Sequence, residues 1–430
     1  MFSLTKWWVC ILLGVILVTS VMHHVLQKVS ILTKNKEQEH SSASITPLSN
    51  NRTFIMGAYY DNREKNLVRL ISIVHRQDVK ELYCWINCST IKGYMTVNKA
   101  VIDFIAHDFG YPYVIAHLLC PDVINCTPEY VSIHWSNKSD IAKLPVFKIR
   151  NRAPNTMSAD FTVCISTMFG NSTNVLQLVQ AIEMYKVLGA QKVMIYKHSC
   201  SLLVDRVLQY YISEGTVEVI PWPIDLYLDV SSNWHFRMEP YPRDLGYYGQ
   251  LATLNDCVYR NMYSSKYVVI NDLDEIIVPK KHTNWADMMD DLKKQYPSTG
   301  IFFFQNRVFP NNVVDSTLNV SAWRAIPGFN LLQHVYREPA TPYHEKMIVN
   351  PRKVIQISVH TVLKGYGHRL VVPSEFAFTH HCRQAMKPEL PKESLIRDTI
   401  LWKYSPSLIR GIEQFKNNSS IFGTFLPQTP

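Results

Sequence analysis

Hydrophobic and polar positions change their rhythm several times along this chain. Trp7 to Met22 carries no charge and is almost wholly apolar. Residues 27–55 are polar, rich in Ser, Lys, Glu and Asn, with little periodicity. Residues 56–150 hold short apolar runs of strand type: Met56–Tyr60, Glu81–Ile86 and Tyr113–Leu118. From about residue 160 two periods alternate. Asp160–Ser166, Lys192–Tyr196, Val217–Ile220 and Lys266–Ile270 are short β-branched and aromatic runs that predict buried strands. Between them lie segments of helical period. In Asn174–Leu188 the residues Val175, Leu178, Ile182, Tyr185 and Leu188 share one side, and Gly189 ends the helix. Leu202–Ile212 and Tyr248–Tyr263 are the next two helices. Strand–helix alternation at this spacing predicts an α/β domain with a mainly parallel sheet, right-handed crossovers and helices on both faces.

These shifts divide the chain into a cytosolic tail (1–6), a transmembrane signal anchor (7–26), a stem (27–55), a β-rich accessory module (56–155) and an α/β domain (156–430). The span fits a short transmembrane helix or the apolar core of a signal peptide; with no evident Ala-x-Ala-like cleavage site an uncleaved anchor is preferred, and its short length suits a thin early-secretory or Golgi bilayer. Lys6 precedes it and Lys28, Lys34 and Lys36 follow, a small charge bias against a lumenal C-terminus. Sequons argue the other way. Asn51, Asn87, Asn125, Asn137, Asn171, Asn319, Asn417 and Asn418 each begin Asn-x-Ser/Thr, where chance gives roughly three. All lie beyond the span, so a type II, lumenal orientation is expected. Nine cysteines fit that compartment: Cys10 is in the span and eight remain for up to four disulfides. Cys84-x-x-x-Cys88 and the Cys120/Cys126 pair lack Cys-x-x-Cys flanks, which favours disulfides over zinc. The net charge of +9 is scattered, so no nucleic-acid arm is indicated, although an anionic nucleotide is a compatible ligand.

The richest segment is Lys266 to Pro279, where an apolar run climbs to Asp272-Leu273-Asp274-Glu275 and a second apolar run ends at proline. Ligands bind at the carboxyl ends of strands in open α/β sheets. Alternation along a strand puts Asp272 and Asp274 on one side, and Glu275 on the opposite side, where it holds a loop. Two carboxylates make a hard oxygen site for Mg²⁺ or Mn²⁺ shared with a diphosphate. A solvated acidic turn is the plain alternative. A haloacid-dehalogenase-like phosphatase uses a similar Asp-x-Asp, though there the motif opens the domain instead of following three strands.

Further pieces accompany this cluster: Gln250 with Asn255-Asp256-Cys257, Lys346-Met347-Ile348-Val349 with Pro351, Val359-His360, and His381-Cys382-Arg383. In order and spacing, over roughly residues 160–385, they resemble glycosyltransferase family 92, with Cys382 where the family carries tyrosine. The resemblance implies a GT-A fold, a UDP-sugar donor, Mn²⁺ and inverting transfer. It also implies β-1,4-galactosyl transfer from UDP-galactose to a glycoprotein or glycolipid glycan. By the same analogy Asp274 is the better metal ligand, and Asp272 meets the nucleotide or the metal. His360, on an expected strand Val354–Val362, is the preferred third ligand over His380 and His381. Arg383, Lys346 and Arg352 are candidates to neutralise diphosphate charge. Inverting transfer needs a general base. Asp315, Glu338 and Glu345 follow the acidic cluster, and Glu345 is preferred. Trp234, Trp285 and Trp323 are candidates to stack on a sugar, with core packing the alternative for each. A lumenal glycan-binding protein that keeps the fold without catalysis is the reading from another functional class.

Overall fold

The computed structural model describes residues 44–421 apart from 80, 89–94, 108, 122–126, 139–142, 153–156, 172, 319, 321–322, 325, 340–344 and 419–420. The expected tail and apolar span, most of the stem, and the sequons at Asn125 and Asn319 lie outside the described residues. Among the described residues no helix is long and apolar enough to cross a membrane. The sequon residues Asn51, Asn87, Asn137, Asn171, Asn417 and Asn418 are all exposed.

The first unit is a nine-stranded sheet made of β1 (Thr46–Pro47), β2 (Thr53–Asp61), β3 (Leu67–His75), β4 (Tyr83–Cys88), β5 (Met95–Lys99), β6 (Val101–Phe104), β7 (Tyr113–Cys120), β8 (Pro128–His134) and β9 (Phe147–Arg150). Its order is β5-β4-β8-β9-β2-β3-β7-β6, with β1 beside β2. The folded unit starts earlier than the expected stem allows. Ile45 and Leu48 are buried and β2 begins at Thr53, so a few apolar side chains inside a polar stretch already belong to the sheet. Both faces of β2 and β3 are covered. Ile55, Ala58, Val68 and Leu70 join the module's own core, while Phe54, Met56, Tyr59, Ile71 and Ile73 join the core of the second unit. A register shift between Ile55 and Gly57 switches the facing parity along β2, as a bulge does.

The second unit begins with β10 (Ala159–Met168), β11 (Lys192–Lys197), β12 (Val217–Pro221) and β13 (Ser265–Asn271), which pair in parallel in the order β12-β11-β10-β13. The following strands are β14 (Glu275–Pro279), β15 (Thr299–Phe304), β16 (Asn306–Pro310), β17 (Tyr336–Arg337), β18 (Lys346–Val349), β19 (Val354–Ile357), β20 (Val362–Gly365), β21 (His368–Val372) and β22 (Ala377–Arg383). β18 extends the main sheet antiparallel to β13, and β15 and β21 complete it. The sheet is therefore mixed, with the expected parallel part at one side. Inside the unit, β14, β22 and β16 form a small separate sheet that the sequence reading did not foresee.

Alternate residues of the parallel strands face two cores. Val163, Ile165, Val193, Ile195 and Val269 face helices α1 (Val175–Leu188), α2 (Leu202–Glu214), α4 (Trp285–Gln295) and α5 (Ser405–Asn418). Cys164, Met194, Tyr196, Val268 and Ile270 face α3 (Gln250–Arg260) and, beyond it, the β module. Asn174 caps α1 through its side chain, and Gly189 ends it at φ 104°, a left-handed turn that glycine takes without strain. α3 starts two residues later than expected. Tyr247, Tyr248 and Gly249 all have positive φ and form a separate turn before it.

The two units are joined by buried polar contacts as well as apolar ones. Asp256 of α3 accepts from Tyr59 Oη (2.5 Å), Tyr196 Oη (2.6 Å) and Arg260 Nε (2.9 Å). Asp61 pairs with Arg63 and Arg69, and Arg63 also donates to Tyr259 Oη and to the carbonyl of Val354. Cys84–Cys120 ties β4 to β7, and Cys164–Cys257 ties β10 to α3. Cys88 is also disulfide-bonded, so Cys84, Cys88 and Cys120 are not thiolate ligands for zinc. Cys200 and Cys382 are free thiols.

Candidate active site

The acidic cluster stands where β13 leaves the sheet. The strand ends at Asn271, residues 272–274 form a turn, and β14 starts with Glu275. Strand alternation therefore does not orient the two aspartates. The turn does, and it brings Glu275 back to them. One carboxylate oxygen from each of Asp272, Asp274 and Glu275 lies within 4.8 Å of the others. The expectation that Glu275 faces away is corrected, although it does hold the loop: its Oε2 accepts from the Asp272 amide at 3.2 Å. Tyr185 of α1 donates to the carbonyls of Asp272 and Glu275, both at 2.9 Å, and Asn271 Nδ2 donates to the latter at 2.7 Å. The Cys382 amide donates to the Asp274 carbonyl at 3.0 Å. Backbone carbonyls are thus fixed from three sides, and the carboxylates are left for chemistry.

Two basic side chains back the carboxylates. Lys346 opens β18, and its Nζ reaches Asp272 at 2.6 Å and Glu275 at 2.9 Å. Its side chain is 1% exposed, so it lies behind the carboxylates and not towards a diphosphate, as the sequence reading had it. Burial disfavours its charge, but the two carboxylates outweigh that and raise its pKa. His381 is set opposite Glu275 by the β14–β22 register. Its Nε2 is 2.9 Å from Asp274 and its Nδ1 is 3.1 Å from Glu275. Burial works against its protonation, yet Glu275 and Asp274 together raise its pKa. Burial also works against the charge of Asp274, and the hydrogen bond from His381 reverses it, so that pKa falls. For Glu275 burial prevails and the pKa rises. Asp272 and Asp274 each keep 37% of their side-chain surface open, against 1% for Glu275. Hard oxygen donors, close-set and partly open, fit Mn²⁺ or Mg²⁺.

The other expected site residues are spread around this centre. His360 is not in the carboxylate group. The expected strand Val354–Val362 is a hairpin of β19 and β20, closed by the Ser358 amide on the Thr361 carbonyl at 2.8 Å. That turn carries His360, whose Nδ1 lies 3.3 Å from the Glu345 carbonyl. Glu345 is half-buried, and burial raises the pKa of its carboxyl. Arg383 ends β22 and is exposed on the cavity wall. Arg352 is committed elsewhere, donating to the carbonyls of Met262, Ser265 and Lys266. Asp315 pairs with Arg397, and Glu338 accepts from the amides of Met386 and Lys387. His380 is buried against Phe309, with its pKa lowered to about 3 by burial. Trp285 and Trp323 are core residues, while Trp234 is 50% exposed.

A cavity of about 550 Å³ opens in front of the cluster. Asp272, Glu275, His381 and Arg383 line one side, Tyr247 and Gln250 another, and His360 with Ser358 a third. The β module contributes part of the remaining wall, through His107, Phe109, Tyr111 and Tyr113. Sequence reasoning missed this wall, because no short motif marks residues that meet only through packing of two units. It also ranked His381 low, although the His381-Cys382-Arg383 run carried part of the resemblance.

Residues 159–417 match the model of glycosyltransferase family 92. The chain is similar to Beta-1,4-galactosyltransferase galt-1 of Caenorhabditis elegans, 26% identical over 239 residues that cover 53% of this chain and 51% of that protein. It is also similar to Glycosyltransferase family 92 protein F13G3.3 of the same organism, 24% identical over 222 residues that cover 51% of this chain and 41% of that protein. The chain spans about half the length of the curated relatives it matches. The match begins where β10 begins, so the whole β module lies outside it.

Proposed function

The chain belongs to glycosyltransferase family 92, and from that premise we propose that it transfers galactose from UDP-galactose to a glycan, with inversion, in the Golgi lumen. One observation carries the reading. Asp272 and Asp274 present partly open carboxylates at the end of a parallel strand, with Lys346 and His381 fixing them from behind. A family relative named as a β-1,4-galactosyltransferase supports galactose as the sugar. The apolar span at 7–26 and the sequons beyond it support a type II lumenal placement. The family and the position of the acidic turn after three β/α units leave the phosphatase alternative without support.

In this mechanism Asp272 and Asp274 would hold the divalent cation, and Arg383, on the cavity wall, would meet the diphosphate. Mn²⁺ or Mg²⁺, when bound, supplies Lewis-acid stabilisation to the departing UDP. Lys346 keeps Asp272 in place and balances part of the carboxylate charge, and His381 does the same for Asp274. Glu345 takes the proton from the acceptor hydroxyl. Its raised pKa suits that role, since a base works best with a pKa near the working pH. The acceptor oxygen then attacks the anomeric carbon from the face opposite UDP, so an α-linked donor gives a β-linked product. His360, whose Nδ1 lies 3.3 Å from the Glu345 backbone carbonyl, lines the cavity.

The test is transfer by the purified full chain, with Mn²⁺ and a panel of UDP-sugars, onto β-galactoside and core-fucosylated glycans. Galactose incorporation from UDP-galactose, abolished by EDTA and restored by Mn²⁺, is the expected result. Absence of transfer from every UDP-sugar, together with glycan binding, would favour the lectin reading.

A further inference from the structure

Trp234 is the exposed member of an aromatic cluster at the cavity mouth. Its ring meets Phe109 at 5.4 Å in an edge arrangement, and Phe109 meets His107 at 5.9 Å. Half of the Trp234 surface is open to solvent. Phe109 is held at φ 52°, an unfavourable region for a bulky residue. Such strain persists where surrounding contacts impose it, and it clusters at ligand sites. Here the contacts are plain. The Phe236 amide donates to the Phe109 carbonyl at 2.9 Å, and Tyr111 Oη donates to Glu239 at 2.5 Å or the Asn233 carbonyl at 3.0 Å. A Cβ on Gly246 would collide with the Tyr111 ring. On the other side His107 Nδ1 lies 3.0 Å from Ser358 Oγ, next to the turn that carries His360.

A second cavity of about 570 Å³ adjoins the first, with His107 and Phe109 lining both. Its outer rim carries His235 and Arg237. One groove thus runs from the acidic turn, past aromatic faces, to polar hydrogen-bonding groups. Aromatic faces suit the C–H face of a pyranose, and rim donors suit its hydroxyls. The inner end is the place for nucleotide and metal, which leaves the aromatic end for a second sugar.

We propose that His107, Phe109 and Trp234 form the subsite for the acceptor glycan, and that the β module thereby selects the acceptor. This rests on the proposed transferase function, and it assigns a role to His107 and Phe109, which lie outside the family match, alongside Trp234 within it.

The experiment separates glycan binding from donor binding. Full-length wild type, Trp234→Ala and Phe109→Ala are applied to a printed array of β-galactoside and core-fucosylated glycans. UDP affinity is measured in parallel by calorimetry with Mn²⁺. Both variants should lose roughly tenfold or more in array binding, the loss expected for an aromatic anchor, with UDP affinity unchanged. Unchanged array binding in both variants, or UDP affinity falling in step, overturns the subsite. So does a wild type that binds UDP but no glycan, which leaves the donor half of the proposed function standing. Glycan binding lost in the variants, in a wild type that binds no UDP, sustains the subsite and sinks the transferase.

Discussion

Lys346 Nζ donates to Asp272 Oδ2 across 2.6 Å, between residues 74 positions apart in the chain. The contact joins β18 to the turn after β13, so the main sheet itself sets the acidic group. Glu275 completes the arrangement at 2.9 Å from the same amine. Removing one partner of a buried ion pair leaves uncompensated charge.

Lys346→Met should therefore destabilise the protein by roughly 3–5 kcal/mol, because Glu275 is left buried beside two further carboxylates. Urea unfolding of wild type and variant checks this. A difference under about 1 kcal/mol, the range of exposed pairs, would show that the lysine is not enclosed as described.

Asp274→Asn should behave differently. Its side chain is 37% exposed, and loss of one charge leaves His381 with Glu275 as partner. Stability should change little. Mn²⁺-dependent UDP binding and turnover should fall about a hundredfold, because a hard ligand leaves the site. Titration with Mn²⁺ after EDTA treatment is the measurement, and wild-type turnover in this variant would remove the metal assignment.

The contrast between these two variants shows what a sequence pattern can carry. The apolar run into Asp272 and Asp274 is local, and the strand and its acidic end were legible from it. The α1 helix was legible for the same reason, through its 3.6-residue period and Gly189. Glu275 and Lys346 were misplaced because their orientation depends on pairing with β22 and on β18, which are distant in sequence. His360 was put on one long strand because Val354–Val362 is continuously β-prone, and only the Ser358–Thr361 contact folds it into a hairpin. The β module was recognised as β-rich. Its share of the cavity was invisible, because it arises from burial of both faces of β2 and β3.

The interface between the units has its own pH signature. Asp61 is buried; burial raises its pKa, but hydrogen bonds and charges from Arg63 and Arg69 prevail and lower it from 3.8 to about 2. A depressed carboxylate contributes stability that is present above its unfolded pKa and lost as pH falls through the folded one. The contribution should be about 2 kcal/mol. The stability difference between wild type and Asp61→Asn should thus be full at pH 5 and shrink between pH 3.8 and about 2. Denaturant midpoints across that window test it, and a difference that grows on acidification would contradict the pairing.

Lumenal placement predicts N-glycans on the exposed sequons. Asn51, Asn87, Asn137 and Asn171 stand open on the surface of the described part. Peptide N-glycosidase should increase the mobility of the protein from secretory cells, and sealed microsomes should protect residues beyond the span from protease. Digestion of that part without detergent would reverse the orientation.

The stereochemical prediction follows from the roles proposed for Glu345 and the acidic turn. Glu345 comes immediately before β18, while Asp272 and Arg383 line the cavity, where the diphosphate is expected. If Glu345 takes the acceptor proton and UDP departs from the opposite face, as proposed, the reaction is a single in-line displacement. No second nucleophilic carboxylate is needed beneath the sugar, so the configuration inverts once. Product formed from α-linked UDP-galactose should be a β-galactoside, read from the anomeric coupling in the proton NMR spectrum. Glu345→Gln should lower turnover by about 10²–10⁴-fold, the range for losing a general base, with UDP affinity retained. An α-linked product would reject the displacement, and normal turnover in Glu345→Gln would move the base to another carboxylate.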